Sequence, residues 1–197
     1  EGEKKTSYKS KNIVIATGSA PTSLPGIEID ENNIVSSTGA LALKEVPKNF
    51  VVIGGGYIGL EMGSVWSRLG SNVTVLEYLD HITPGMDKEI SSEFMKILTK
   101  QGFKFKLNSK VTEVNNKDDQ VEVTFINNET SKIEKLLADK VLVSVGRKPY
   151  TEGLNLIKMG IKKDKQGRVE VNEKLQTSIS NIYAIGDVIK GPMLAHK

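Results

Sequence analysis

Three glycines stand at the spacing Gly-x-Gly-x-x-Gly, at Gly54, Gly56 and Gly59. A turn of this kind brings backbone N–H groups and a helix N-terminus close to phosphate groups. Gly54 would allow a tight turn, Gly56 would leave room for a pyrophosphate, and Gly59 would let a helix pack closely on a strand. Glu77 follows Gly59 at the spacing of ~20 residues expected for a carboxylate that binds ribose hydroxyls. These residues predict a dinucleotide site.

The carboxylate of Glu77 also indicates which dinucleotide is bound. It can accept hydrogen bonds from both ribose hydroxyls of NAD, whereas it would repel the 2′-phosphate of NADP. The next residues, Tyr78, Leu79 and Asp80, include no arginine to hold that phosphate. The sequence therefore favours NAD.

The elements around the glycines are those that such a site needs. Residues 50–53 form a short apolar run typical of a buried strand, and residues 57–69 follow a helical pattern that Gly70 would end. Residues 72–76 predict a second strand that leads to Glu77. With strand, turn, helix, strand and acid in order, the dinucleotide site is favoured over a glycine-rich turn in another kind of α/β protein.

Composition excludes several other classes of function. The chain has 197 residues, a net charge of +3 and no cysteine. The nearly balanced charge gives no indication of binding to nucleic acid, and no apolar run approaches the ~20 residues of a membrane span. Without cysteine the chain can form no disulfide, no thiolate zinc site and no cysteine nucleophile, and we expect no metal site.

The remaining pattern predicts an α/β fold. A helix capped by Asp87, with Ile90, Phe94, Ile97 and Leu98 on one face, would lead to a third parallel strand at residues 103–107. Another buried strand is predicted at residues 140–145. The strands of a small antiparallel β-meander are predicted at residues 111–114, 121–126 and 132–136. The predicted domain is Rossmann-like, with a parallel sheet, helices and a meander.

Both flanks of this domain carry a strand that ends in a glycine-containing turn. These strands are predicted at residues 12–16 and 182–185, and they could lie in one sheet with the Rossmann-like domain inserted between them. We therefore predict a domain at residues 21–149 and two pieces of another domain at residues 1–20 and 150–197.

Four motifs occur in an order that resembles the flavin-dependent pyridine nucleotide–disulfide oxidoreductases. They are Ile15-Ala-Thr-Gly-Ser19, Gly54-Gly-Gly-Tyr-Ile-Gly-Leu-Glu61, Val145-Gly-Arg-Lys-Pro149 and Tyr183-Ala-Ile-Gly-Asp187. The segments 62–70, 100–105 and 191–197 make the chain most similar to the dihydrolipoamide-oxidising branch of that family. The resemblance implies that the flanks are pieces of an FAD-binding domain.

The resemblance also implies roles for individual residues. The residues implied in NAD binding are Gly54, Gly55, Gly56, Tyr57, Ile58, Gly59, Leu60, Glu61, Glu77, Val111 and Gly146. The residues implied on the FAD side are Thr17, Gly18, Ser19, Asp187, Met193, Leu194, Ala195 and His196. Glu61 matches a carboxylate that the family pairs with a lysine beside the flavin, and that lysine is not in this chain. The chain itself supplies no catalytic residue.

The implied reaction oxidises protein-bound dihydrolipoamide to lipoamide, through a dithiol pair and FAD, and reduces NAD to NADH. This chain has no cysteine and no second Gly-x-Gly-x-x-Gly before residue 12. The resemblance also implies that the family's C-terminal interface domain, which supplies the catalytic histidine, is not part of this sequence. We therefore expect an inactive fragment of the enzyme that holds FAD weakly or not at all. A fragment of an NADP-linked disulfide reductase and a stand-alone NAD-binding module remain as alternatives.

The resemblance implies partners and a location for the whole enzyme. The expected partner is a lipoyl-bearing protein of a 2-oxo acid dehydrogenase or glycine cleavage complex, and the enzyme is expected to be a homodimer. No nucleic acid or membrane partner is expected. The expected location is the bacterial cytoplasm or the mitochondrial matrix.

Overall fold

The protein is described by a computed structural model that covers residues 6–194. Within that range the chain divides into two compact units. The central unit is Pro21–Gly146, and the flanking unit combines the chain up to Ala20 with the chain from Arg147 onward. Each unit has its own hydrophobic core.

The elements of the described residues are short, apart from two helices and the meander. The strands, in chain order, are β1 (Ile13–Ile15), β2 (Ser19–Pro21), β3 (Ile34–Val35), β4 (Asn49–Ile53), β5 (Asn72–Leu76), β6 (Lys104–Lys106), β7 (Ser109–Lys117), β8 (Gln120–Asn127), β9 (Ile133–Ala138), β10 (Lys140–Val143), β11 (Arg147–Pro149) and β12 (Ile182–Ala184). The helices are α1 (Ser37–Ala42), α2 (Tyr57–Leu69) and α3 (Lys88–Lys100), and Gly186–Val188 forms a 3₁₀ turn. None of the helices in residues 6–194 is long and apolar enough to cross a membrane.

The central unit is built on a parallel sheet in the order β3-β10-β4-β5-β6. The side chains of β4 alternate between two cores: Phe50 and Val52 pack with the helices, while Val51 and Ile53 pack with the meander. A strand covered on both faces must be apolar at every position, which explains the continuous run after Asn49. The predicted α/β fold with a parallel sheet is confirmed. The two-residue strand β3 was not predicted.

Helix α2 begins directly after the glycine-rich turn and ends at a left-handed glycine. Gly70 has φ +115°, and its N–H donates to the Ser67 carbonyl at 3.0 Å, as a C-terminal cap requires. Leu60 and Trp66 are buried on the face of α2 that packs against the sheet. The predicted helix bounds are confirmed.

Helix α3 has the predicted cap but buries less of its predicted face. The Asp87 carboxylate accepts hydrogen bonds from the N–H groups of Glu89 and Ile90. Leu98 is buried, whereas Ile90, Phe94 and Ile97 are 59 %, 37 % and 51 % exposed. The apolar spacing identified the helix, but it could not show that Leu98 is the member of this set that the central core covers.

The meander forms the third layer of the central unit. Strands β7, β8 and β9 are antiparallel neighbours, with a bulge in β7 between Val111 and Glu113. Val121, Val123 and Phe125 face the parallel sheet and are fully buried. The predicted meander is confirmed, with longer strands than the sequence indicated.

The flanking unit contains the predicted long-range strand pair. Strands β1 and β12 are parallel, with Ile13 opposite Ile182. The buried residues of this unit's core are Ile15, Leu156, Ile161, Val169, Ile182, Ala184, Val188 and Ile189. Two short segments of the chain, β2 and β11, pair with each other and were not predicted as strands. Glycine and proline near both segments obscured these short strands.

Candidate functional site

The glycine-rich turn lies between the carboxyl end of β4 and the start of α2. Gly54 has φ +106°, in the left-handed region that favours glycine. A Cβ at Gly54 would lie 2.5 Å from the Ser144 carbonyl oxygen, on the neighbouring strand's continuation. Both conformation and space therefore require glycine at this position.

Gly59 and Gly56 serve different purposes. A Cβ at Gly59 would meet the Gly54 carbonyl oxygen and would lie 2.9 Å from Val52 Cγ1, so glycine lets α2 pack directly on β4. A Cβ at Gly56 would have no atom within 4 Å. Gly56 is also the N-cap of α2 and offers no side chain to the helix N–H groups. Open space, free backbone donors and the positive helix end fit a phosphate group at this point.

Glu77 lies directly after β5, beside the same turn. Its side chain is 7 % exposed. Oε2 accepts a hydrogen bond from the Gly55 N–H at 2.6 Å, and Oε1 accepts one from the Leu79 N–H at 2.9 Å. The structure thus joins the glycine motif to the acid that the sequence singled out. A carboxylate held in this way has remaining lone pairs that could accept hydrogen bonds from ribose hydroxyls.

The other residues predicted to bind NAD differ in how far they are buried. Tyr57 and Glu61 are exposed on α2, while Leu60 is buried in the helix-side core. Val111 is partly buried on β7, which begins at Ser109, where the N–H donates to the Glu77 carbonyl at 2.8 Å. Gly146 follows β10, beside β4, and its carbonyl accepts from the Thr22 N–H at 3.0 Å. Ile58 is partly buried in the first turn of α2.

Two contacts of the turn were missed by sequence reasoning. Ser144 Oγ donates to the carbonyls of Ile53 and Gly54 at 3.0 and 3.3 Å. The Thr83 N–H donates to the Gly55 carbonyl at 2.8 Å. A polar residue at the end of the apolar run 141–143 was a weak signal for Ser144. Nothing in the sequence marked Thr83.

Both acidic and basic side chains lie in the segment that follows Glu77. Asp80 is exposed, and its hydrogen bond with His81 at 2.5 Å lowers the pKa of the Asp80 carboxyl. Lys106 lies opposite Leu76 on β6, but its Nζ is paired with Glu134 at 2.8 Å. The segment after β5 therefore presents carboxylates, the lysine of β6 is paired with Glu134, and Lys88 is close enough to contribute to the lowered pKa of Asp80. Within residues 6–194 no group of three or more His, Asp or Glu side chains could hold a metal ion.

The predicted FAD-side residues come together in the flanking unit. Ser19 Oγ donates to Asp187 Oδ2 at 2.6 Å, and Arg147 Nε donates to Ser19 Oγ at 2.7 Å. Thr17 Oγ1 donates to the Tyr150 carbonyl at 2.5 Å, and the Gly18 carbonyl accepts from the Tyr150 N–H at 2.9 Å. These bonds join the first motif to the third and fourth motifs.

The last predicted FAD-side residues extend to the limit of the structure. Met193 is partly buried and Leu194 is 40 % exposed. Ala195 and His196 lie outside the described residues.

Comparison with known proteins shows the family. Residues 1–197 match the family model of the pyridine nucleotide-disulphide oxidoreductases, and the chain belongs to that family. It is 58 % identical over 197 residues to the mitochondrial dihydrolipoyl dehydrogenase of Pisum sativum, covering 100 % of this chain and 39 % of that protein. It is 56 % identical over 189 residues to the human mitochondrial dihydrolipoyl dehydrogenase, covering 95 % of this chain and 37 % of that protein. The resemblance inferred from the motifs is confirmed.

A solved structure supports the same assignment. The HOCl-induced flavoprotein disulfide reductase RclA from Escherichia coli superposes with a TM-score of 0.84 at 34 % identity, over 94 % of this chain and 41 % of that chain. The chain spans about two fifths of the length of the relatives it matches. It therefore corresponds to a fragment of the larger enzymes.

Proposed function

We propose that residues 21–149 are the NAD-binding domain of a flavoprotein that oxidises protein-bound dihydrolipoamide to lipoamide and reduces NAD to NADH. The observation that carries the proposal is the carboxylate of Glu77, held 2.6 Å from the Gly55 N–H of the glycine-rich turn. This arrangement would bind ribose hydroxyls at Glu77 and the pyrophosphate beside Gly56. Val111 and Gly146 would line the adenosine and nicotinamide halves of the site.

The charges near Glu77 support NAD over NADP. Glu77 and Asp80 would both repel a 2′-phosphate, and Lys106 is already paired with Glu134. A disulfide reductase of the NADP-linked kind would need a free basic group here. That alternative remains less well supported by the charges.

Residues 1–20 and 150–197 are proposed to be parts of the FAD-binding domain. The hydrogen-bonded set of Ser19, Asp187 and Arg147 supports this assignment, because it joins two motifs that the resemblance places on the flavin side. Bound FAD would pass electrons between a dithiol and the nicotinamide. Asp187 would accept a hydrogen bond from a hydroxyl of the FAD chain, and residues 193–196 would lie beside the flavin ring. Glu61 would pair with a lysine supplied by the rest of the enzyme.

For the whole enzyme, the partner is proposed to be a lipoyl-bearing protein of a 2-oxo acid dehydrogenase or glycine cleavage complex. A homodimer in the mitochondrial matrix or the bacterial cytoplasm is proposed. The mitochondrial relatives support the former location.

The test is a fluorescence titration of the purified chain with NADH and, in parallel, with NADPH. Saturable NADH binding is expected, with NADPH much weaker. Glu77→Ala should abolish NADH binding. Glu45→Ala removes an exposed carboxylate from the same unit and should leave NADH binding unchanged. Thermal melts of both variants would verify that they fold.

Other results would redirect the proposal. Preference for NADPH would favour an NADP-linked disulfide reductase, and the absence of binding by a folded chain would contradict an NAD-binding domain.

The chain is expected to show no oxidation of dihydrolipoamide, because it contains no cysteine. It is also expected to hold FAD weakly or not at all. Stoichiometric flavin absorbance in the purified chain would contradict that expectation. High-affinity NAD binding by a natural protein of this length would favour the stand-alone module.

A further inference from the structure

The peptide groups around Gly55 are anchored on both sides. The Gly55 N–H donates to Glu77 Oε2 at 2.6 Å, and the Gly55 carbonyl accepts from the Thr83 N–H at 2.8 Å. The first anchor is the acid expected to face the nucleotide. The second anchor belongs to the segment between β5 and α3.

Thr83 is held in a backbone conformation that it would not adopt by itself. Its φ is +50°, in the left-handed region where β-branched residues are outliers. Its hydroxyl lies 2.7 Å from Ser91 Oγ. Because Ser91 Oγ donates its hydrogen to the Asp87 carbonyl at 2.9 Å, Thr83 is the donor to Ser91. Ser91 is 2 % exposed in the first turn of α3, so α3 secures Thr83.

The neighbouring residue also fixes this segment against the turn. Ile82 is 1 % exposed and packs in the helix-side core. A Cβ at Gly55 would lie 3.2 Å from Ile82 Cγ2, so the two segments approach closely. Strain at a well-determined position of this kind is common where a functional loop is held in place.

The geometry of the peptide bond links Thr83 to the phosphate side of the turn. The carbonyl of Gly55 and the N–H of Gly56 belong to one trans peptide group and point in opposite directions. A Gly55 carbonyl fixed toward Thr83 therefore directs the Gly56 N–H away from Thr83. Gly56 borders the open space where a pyrophosphate would fit.

We propose that the hydroxyl pair of Thr83 and Ser91 holds the glycine-rich turn in the conformation that receives the pyrophosphate. The two residues are positioning residues for the nucleotide, and this inference rests on the proposed NAD-binding function. Glu77 would be shared between Gly55 and the ribose once nucleotide binds. The Thr83 anchor would then keep the turn in place independently of the ligand.

The test compares NADH dissociation constants for Thr83→Val, Ser91→Ala and the double variant. Thr83→Val removes the hydroxyl but keeps the β-branch and the backbone N–H. Each single variant should bind NADH about three- to tenfold more weakly, the effect of one lost hydrogen bond. The double variant should be no weaker than either, because both remove the same interaction. Thr83→Ser keeps the hydroxyl and should therefore bind NADH with wild-type affinity.

Thr99→Val is the matched control. Its hydroxyl donates to the Met95 carbonyl at 2.8 Å on the exposed part of α3. This variant should bind NADH as the wild type does. Amide hydrogen exchange gives a readout without nucleotide: the Thr83 N–H should exchange faster in Thr83→Val and Ser91→Ala, but not in Thr99→Val.

The outcomes separate the two proposals. Wild-type NADH binding with unchanged affinity in folded Thr83→Val and Ser91→Ala would overturn the positioning role and leave the proposed function standing. Lower melting temperatures with unchanged affinity would do the same. Additive losses in the double variant would show that the two residues do not act as a pair. A folded wild-type chain that binds no NADH would overturn both proposals.

Discussion

The central unit and the flanking unit differ in how much of their structure is local in the sequence. The parallel sheet of the central unit has β4 covered on both faces, with Phe50 and Val52 fully buried. In the flanking unit, β1 pairs with β12, and Ile13 and Val14 are 48 % and 55 % exposed. A site built on the central sheet rests on rigid elements. In the flanking unit, side-chain hydrogen bonds between distant segments add to this strand pairing.

The largest expected effect is the loss of a core side chain from the central unit. Phe50 is fully buried and its ring lies 6.3 Å from the ring of Trp66. Phe50→Ala should destabilise the central unit by about 3–5 kcal/mol and remove NADH binding. Urea unfolding and the NADH titration measure these effects. Leu156→Ala makes the same kind of cavity in the flanking unit. It should leave the NADH dissociation constant unchanged, and a similar loss of binding would show that the units are not independent.

Two glycines of the turn should separate folding from binding. Gly59→Ala should destabilise the central unit by about 1–3 kcal/mol, because its Cβ would meet backbone and Val52. Gly56→Ala should lower the melting temperature much less than Gly59→Ala, since its Cβ enters open space and only the N-cap preference for glycine over alanine is lost. It should nevertheless weaken NADH binding about tenfold or more, because that space is where the pyrophosphate is proposed to lie. Equal NADH affinity in Gly56→Ala and wild type would contradict the proposed phosphate position.

A change in the flanking unit should act on that unit alone. Asp187→Ala removes the acceptor for Ser19 Oγ, a bond of 2.6 Å. It should speed amide exchange of Ile185, whose N–H donates to the Ile15 carbonyl, and leave exchange in β4 unchanged. The loss should correspond to about 1–2 kcal/mol. Asp187→Asn keeps an acceptor and serves as the control. Faster exchange in β4 would show that the units share their stability.

The smallest expected effect concerns the ion pair of Lys106 and Glu134. The hydrogen bond from Lys106 lowers the pKa of the Glu134 carboxyl. Its contribution is therefore present above the unfolded pKa and is lost as the pH falls through the folded pKa. Glu134→Gln should lower Tm by at most ~2 °C near neutral pH and by nothing in acid. Glu113→Gln changes an exposed carboxylate on β7 and serves as the matched control.

The sequence predicted what depends on local pattern. One β-α-β unit contains the apolar run 50–53, the glycine spacing, Gly70 and Glu77. Because these signals follow one another in the order that a dinucleotide-binding turn requires, each supported the prediction made from the others. The contacts of Ser144 and Thr83 could not be predicted in this way. The Ser144 hydroxyl bonds the turn from 91 positions away in sequence. Thr83 bonds Gly55 through its backbone N–H, which no side-chain pattern marks. The exposed part of α3 shows a related limit, since apolar spacing identifies a helix face without identifying what covers it.

The pairing of β1 with β12 has a consequence for the order in which the chain folds. Asn181 Nδ2 donates to the Lys11 carbonyl, although the two residues are 170 positions apart. Closing so long a loop before the intervening chain is compact costs conformational entropy. The central unit is continuous in sequence and can form its sheet as soon as β10 has been synthesised. It would then bring the two flanks together, so the central unit is expected to fold first and the unit that surrounds it in sequence is expected to fold onto paired ends.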